Sequence, residues 1–168
     1  MPGVLETQRL ALRELLPSDL DFVAAMLGDP ETMRFYPRPY TREQSAEWID
    51  RQRRRYASDG HGLWLVTLRS TGEPVGQVGL TRQHVDGVAE DEVGYLIARR
   101  FWRQGYAAEA ALATRDHAFG ALLRPRVISL IRPENLPSQA VARRLGMSVE
   151  KSTCCFEREH LVYVARRP

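Results

Sequence analysis

Cysteine is almost missing from this chain of 168 residues, and the two that occur, Cys154 and Cys155, are adjacent. An adjacent pair cannot close an ordinary disulfide without straining the peptide between its members. No second Cys or His cluster stands at metal-ligand spacing, so no metal is expected. A reducing, cytoplasmic compartment is the simplest setting for such a sequence. Long apolar runs are missing too. No stretch approaches the roughly 18 apolar residues of a membrane span, and residues 1–15 alternate polar with apolar side chains where a secretory signal needs an apolar block. No membrane partner is expected. Charge of one sign is also scarce: 24 basic against 21 acidic side chains leave a formal charge of +3. So slight an excess gives mild attraction to anions and no case for a nucleic-acid-binding protein. Arginine greatly outnumbers lysine, a skew that we attribute to genome composition rather than to function. Repeats, low-complexity tracts and dividing linkers are absent, and a single domain over residues 1–168 is expected.

What is present is an ordinary globular composition, 43% apolar and 27% charged. Leu10 and Leu12 alternate with Arg9 and Arg13 as a first strand. Pro17-Ser18-Asp19 opens a helix whose apolar face is Leu20, Val23, Met26 and Leu27, ended by Gly28-Asp29-Pro30. Thr41, with Gln44 three residues on, predicts the N-cap of a second helix that runs to about Ser58 and breaks at Asp59-Gly60. Strand-like runs follow at 62–68, 75–81 and 92–98, with turn signals at 70–73 and at Asp86-Gly87, which predicts an antiparallel meander. A helix from Gly105 to Phe119, a strand from Arg126 to Ile131, a short helix from Ser138 to Leu145 and strands at 148–152 and 156–165 complete the order β-α-α-β-β-β-α-β-α-β-β. That order implies an α/β domain with a mixed, mostly antiparallel sheet and helices on both faces. The strand before Gly105 and the strand after its helix are joined by a crossover and are expected to be parallel.

The run Glu92-Val93-Gly94-Tyr95-Leu96-Ile97-Ala98, followed by Phe101-Trp102-Arg103-Gln104-Gly105-Tyr106-Ala107, resembles the core signature of the GNAT N-acetyltransferases. The likeness is greatest to the branch of the ribosomal-protein N-terminal acetyltransferases, and it extends from Thr7-Gln8-Arg9-Leu10 to Asn135, Ser138 and Leu145-Gly146-Met147. It implies a GNAT-like fold and acetyl-CoA as the acyl donor. The physics agrees: a strand-to-helix loop presents unpaired N–H groups and the positive end of a helix dipole, both suited to a diphosphate. Gly105 permits close approach, Ala107 is too small to block it, and Arg103 adds a cation. Gln104 and Tyr106 complete the predicted phosphate loop. The resemblance projects the pairing of the pantetheine arm onto the backbone at Tyr95, Ile97 and Ala98.

Acyl transfer from a thioester to an amine needs a proton acceptor for the amine, a donor for the oxyanion and an acid for the thiolate, but no covalent nucleophile. Glu92 is the candidate base; Glu90 and Asp91 are like-charged neighbours whose crowding raises one pKa of the group toward neutrality, and the competing reading of Glu90-Asp91-Glu92 is a solvated hairpin end. Asn135 and Ser138 match the family's Asn-x-x-Ser block; the resemblance gives Asn135 to cofactor and substrate binding and the Ser138 hydroxyl to the thiol. Ser138 is also suited to cap the short helix. Two positions depart from related enzymes: Ala142 stands where many keep an acidic tyrosine, and Leu130 where some N-terminal acetyltransferases keep a glutamate.

Phe35 and Tyr36, with Tyr40 and Trp48, are candidate walls of an acceptor pocket or core packing, and His84 is a further candidate on the acceptor side. The Arg51-Gln52-Arg53-Arg54-Arg55 run shares its helix with Glu43, Glu47 and Asp50 and reads as a solvated face. The expectation is therefore an acetyl-CoA:amine N-acetyltransferase, monomeric or homodimeric, whose acceptor is a peptide N-terminus or a small amine. A CoA-binding module with weak or no catalysis and an RNA-associated basic domain are the competing readings.

Overall fold

Apolar alternation in the sequence becomes one sheet of eight strands in the computed structural model, which describes residues 3–168. Along the chain the elements are β1 (Leu5–Glu6), β2 (Leu10–Arg13), α1 (Leu20–Leu27), α2 (Arg42–Asp59), β3 (Leu63–Leu68), β4 (Pro74–Val85), β5 (Val88–Ile97), α3 (Tyr106–Gly120), β6 (Arg126–Ile131), α4 (Leu136–Arg144), β7 (Ser148–Cys155) and β8 (Arg158–Arg166). Their order across the sheet is β1-β2-β3-β4-β5-β6-β8-β7. Every neighbouring pair is antiparallel except β5 and β6. The meander and the single parallel crossover are thus as the sequence predicts.

Strand period two sorts the core onto two faces. On β3, Trp64 and Val66 point into the larger core with Ala110, Ala111 and Ala118 of α3, Ala142 of α4 and Leu145, the C-cap of α4. Leu65, between them, points the other way, into a core made by Val23, Met26 and Leu27 of α1 and Ile49 of α2. Those three alanines of α3 are fully buried, which lets that helix lie close to the sheet. Local chemistry sets the boundaries. Thr41 and Gln44 form the reciprocal capping box of α2, and Gly60 ends it in the left-handed region at φ 78°. No helix among the described residues is long and apolar enough to cross a membrane.

Several boundaries differ from the sequence reading. β1 is an added edge strand of two residues. β4 and β5 run on to a tight turn at Asp86-Gly87 (φ 50° and 81°), so Glu90-Asp91-Glu92 lies within a strand rather than at a solvated hairpin end. α4 begins at Leu136, because Asn135 caps it and Pro137 suits its first turn. Phe156 leaves β8 and, with Glu157, forms the β7–β8 turn, both residues having positive φ (51° and 61°).

Candidate active site

Two glutamate contacts made across about a hundred residues shape the start of α3. Gly105, at φ 80°, is its N-cap, and Arg103 precedes it at φ 61°. These left-handed residues turn the chain so that the first-turn N–H groups of α3 face outward. The loop is held from behind by Arg9 of the segment before β2. Its guanidinium donates to the Gln104 carbonyl at 2.9 Å and to Glu109 at 2.7 Å, and lies 4.6 Å from the centre of the Tyr106 ring. Glu109 also accepts from the Thr7 hydroxyl at 2.6 Å and the Arg9 N–H at 2.9 Å. Burial pushes the Glu109 carboxyl up, but the Thr7 and Arg9 hydrogen bonds outweigh it and hold the group below its ordinary value. A side chain on Gly105 would meet Arg9 Nη2 at 3.3 Å and would be strained at that φ. The Thr7–Arg9 block was visible in the sequence; its function as a brace, linking positions about a hundred residues apart, carried no local signal.

A cavity of about 560 Å³ opens in front of this loop, lined by Arg103, Gly105, Tyr106 and Ala107, by Trp102, Tyr95 and Ile97, and by Asn135, Ser138 and Arg144. Gln104 is not among its walls; its carbonyl serves the brace instead. The backbone expected to pair with the pantetheine arm needs one correction. Ala98 donates its N–H to the Val75 carbonyl at 2.9 Å and accepts from Phe101, so both of its groups are taken by the fold. Antiparallel alternation then turns the backbone groups of Tyr95 and Ile97 away from β4, toward the open side. The Ile97 carbonyl there already accepts from Trp102 Nε1 at 2.7 Å, which explains an aromatic residue at that position.

The open side exists because β5 and β6 part. They share one register pair, Glu92 with Ile128. Beyond it side chains replace the ladder: Ser129 donates from its buried hydroxyl to the Val93 carbonyl at 2.7 Å, and the Leu130 N–H donates to Glu92 Oε2 at 3.1 Å. Tyr95 spans the gap, its hydroxyl donating to the Ser138 carbonyl at 2.6 Å. A second cavity of about 410 Å³ lies on the α1–α2 face. Tyr36, Tyr95, Asn135 and Ser138 line both cavities, so the two meet at the gap.

Glu92 sits in the second cavity with Oε1 accepting from Gln83 at 3.1 Å. Burial pushes its carboxyl above the ordinary value, against the Leu130 N–H, Gln83, Arg55 and the Thr81 hydroxyl, which all pull it down. The cause differs from the expected crowding. Asp91 points to the opposite face, where Arg124 Nε lies 2.9 Å away, and Glu90 is neutralised by Arg126 at 3.0 Å. The Tyr36 phenol at the junction, on a residue that is 41% exposed, is pushed up to about 12 by loss of water around its hydroxyl and by the Glu92 carboxylate.

Asn135 and Ser138 both reach the junction, but the cap belongs to Asn135, whose Oδ1 accepts from the Ser138 N–H at 3.2 Å. The helix therefore leaves the Ser138 hydroxyl without a capping duty. Phe35 joins Tyr36 at the cavity walls. Tyr40 and Trp48 both pack and line: their rings meet edge-on at 5.8 Å, and Trp48 Nε1 donates to Gln77 at 2.9 Å. His84 is not part of the site. It pairs with Ala89 and shares the face of Arg82 and Asp91, while Thr81 and Gln83 take the Glu92 face. His160, from β8, lines the second cavity instead. The arginine run of α2 also divides: Arg53 and Arg54 are exposed, but Arg51 and Arg55 line the cavity. Trp48, Arg51 and Arg55 stand at i, i+3 and i+7, a helical stripe readable in the sequence. Cys154 and Cys155 are free thiols on β7. Groups of three or more metal-ligating side chains are absent among the described residues.

The groove at the start of α3 opens through parted parallel strands onto a second cavity, and residues 9–148 of this fold match the family model described as the acetyltransferase (GNAT) domain. The chain belongs to that family of acetyl-CoA-dependent acetyltransferases. It is 33% identical over 160 residues to the protein YkkB of Bacillus subtilis (strain 168), covering 95% of this chain and 93% of that one. Among solved structures, an acetyltransferase from Agrobacterium tumefaciens str. C58 has 32% identity and a TM-score of 0.87, covering 99% of this chain and 95% of that one. The fold is shared with RimL, a ribosomal L7/L12 alpha-N-protein acetyltransferase solved in complex with coenzyme A, at 16% identity and a TM-score of 0.78 over 98% of both chains.

Proposed function

We propose that the protein transfers the acetyl group of acetyl-CoA to a primary amine by direct attack within a ternary complex. The observation that carries this reading is the meeting of the two cavities at the β5–β6 gap, with the α3 N-terminus on one side and Glu92 on the other. The residues suit the donor. First-turn N–H groups of α3 with Arg103 and Arg144 complement a diphosphate, and the outward backbone of Tyr95 and Ile97 offers an amide-bearing arm the strand edge that β6 leaves vacant.

Holding thioester and amine together supplies much of the acceleration, since the thioester is already activated. Glu92 takes the amine's proton, directly or through water; its raised pKa brings it closer to the neutral range in which a carboxylate base works best. The Ser138 hydroxyl donates to the departing sulfur, and the Tyr36 phenol, which stays protonated at neutral pH, is a second donor at the junction. Ala142 is fully buried and has no part in this.

Two measurements test the reading together. Millimolar CoA raises the melting temperature by mass action, and acetyl-CoA with an amine panel releases free thiol. Absence of the first sinks the cofactor site; stabilisation without thiol release for any amine replaces the transferase by a CoA-binding module.

A further inference from the structure

Most arginines of this protein hold a carboxylate within 4.0 Å. Those that hold none among the described residues are not spread evenly. Arg103 and Arg144 line the cofactor cavity, and Arg51, Arg55 and Arg158 line the acceptor cavity; Arg38, Arg54, Arg143 and Arg167 line neither. In the first cavity the free cations face the place of the donor's phosphates. The second cavity has cations in the same condition, with no carboxylate of the described residues within 4.0 Å of them. Its one carboxylate, Glu92, already serves Leu130 and Gln83, and its fourth arginine, Arg132, is held by Glu134 at 2.7 Å.

Arg55 is the most informative of the three. It is half-buried, and among the described residues its only side-chain hydrogen bond is a long one of 3.4 Å to Gln52. Burial and the neighbouring Arg51 push its guanidinium below the ordinary value and outweigh Glu92 and Asp59, which pull it up. A cation kept there at a cost is relieved by an anion brought in from outside. Tyr40 and Trp48 give the same cavity an apolar wall, with Arg51 5.5 Å from the Trp48 ring.

We infer that the acceptor is a primary amine that itself carries a carboxylate, of amino-acid to dipeptide size, with its amine toward Glu92, its carboxylate on Arg55 flanked by Arg51 and Arg158, and its apolar body on Tyr40 and Trp48. This rests on the acetyl-transfer reading. The amine nitrogen forms the C–N bond and passes its proton to Glu92 or water, the C–S bond breaks, and the thiolate takes a proton, so that amine and thioester become amide and thiol. Polycationic amines are disfavoured by the same arginines.

The test compares each common amino acid with its own carboxamide, and adds spermidine and dipeptide amides with glutamate second, all read as thiol release. The preferred amino acid exceeds its carboxamide in kcat/KM by about tenfold or more, the size expected for a charge-assisted contact, and spermidine is poor. Arg55→Gln, or Arg158→Gln should the first variant fold badly, brings the carboxylate-to-carboxamide ratio toward one through KM. A preference found only among the glutamate dipeptide amides supports the carboxylate and assigns it to an acidic peptide N-terminus. Turnover that is equal for carboxylates and carboxamides, or best with spermidine, overturns the inference and leaves the transferase standing. No thiol release from any amine, with acetyl-CoA still stabilising the fold, is the distinct result that removes the transferase reading itself.

Discussion

Glu92→Gln keeps the length of the side chain and one acceptor oxygen, so it removes the ionisable group while leaving the Leu130 N–H a partner. The other oxygen accepts from Gln83, and rotation of the Gln83 amide by half a turn restores that contact to the new amide nitrogen. The variant therefore folds, with a stability change of about 1 kcal/mol or less, whereas Glu92→Leu strands the Leu130 N–H and costs about 1–3 kcal/mol. Loss of a general base lowers turnover by roughly 10²–10⁴-fold. The pH dependence gives a sharper check. Because burial raises the folded carboxyl above its unfolded value, ionisation of Glu92 is a cost of the native state. Its stabilising protonated form is fully present below the unfolded pKa and lost as pH rises through the folded one. The melting temperature of Glu92→Gln minus that of the wild type therefore climbs from acid toward neutral pH. Over the same range the activity deficit of the variant grows, since below its pKa the wild-type carboxyl is also unable to accept a proton. Melting curves and kcat/KM profiles of both proteins measure the two trends. Full activity of the variant at every pH would refute the base assignment, and a flat stability difference would refute the buried-carboxyl argument.

Three further changes probe separate parts of the structure. Glu109→Ala removes the acceptor of three hydrogen bonds from Thr7 and Arg9; it lowers stability by about 1–3 kcal/mol and weakens CoA binding measured by calorimetry. Since the Glu109 pKa is depressed, its contribution is present above the unfolded value and lost as pH falls through the folded one, so wild type and variant converge in acid. Gly105→Ala puts a side chain at φ 80° and 3.3 Å from Arg9 Nη2; a left-handed alanine costs about 1–2 kcal/mol, seen as a lower melting temperature together with weaker CoA binding. Asp91→Ala leaves Arg124 and Arg82 without their buried carboxylate and costs about 3 kcal/mol, with kcat of the folded fraction unchanged, because Asp91 faces away from the cleft.

The frame was legible in the sequence wherever a local device sets it. The Thr41–Gln44 capping box, the Gly60 stop, the Asp86-Gly87 turn and the period-two strands all act over a few residues and were read correctly. The Phe156-Glu157 turn was missed because it has neither glycine nor asparagine to mark its positive φ. Glu92, Asn135, Ser138 and Gly105, each singled out by a motif, line the two cavities. What escaped depends on distance or parity. The Arg9–Glu109 brace joins residues far apart in the chain. His84 and Ala98 were each one residue out of phase, on the wrong face or the wrong edge of a strand, and only the register reveals that.

The parting of β5 from β6 separates two kinds of heredity. The cavity proposed for the donor is lined by α3, the loop before it and α4, while the stripe of Trp48, Arg51 and Arg55 and the exposed Phe156 tip come from α2 and the β7–β8 turn, on the other side of the gap. Substitutions on that stripe or at that tip alter what is gripped without disturbing the Arg9 brace or the first turn of α3. On the proposed assignment of the two cavities, lineages sharing this fold can exchange one acceptor for another by drift in two short surface segments, with the grip on the common donor passed on intact.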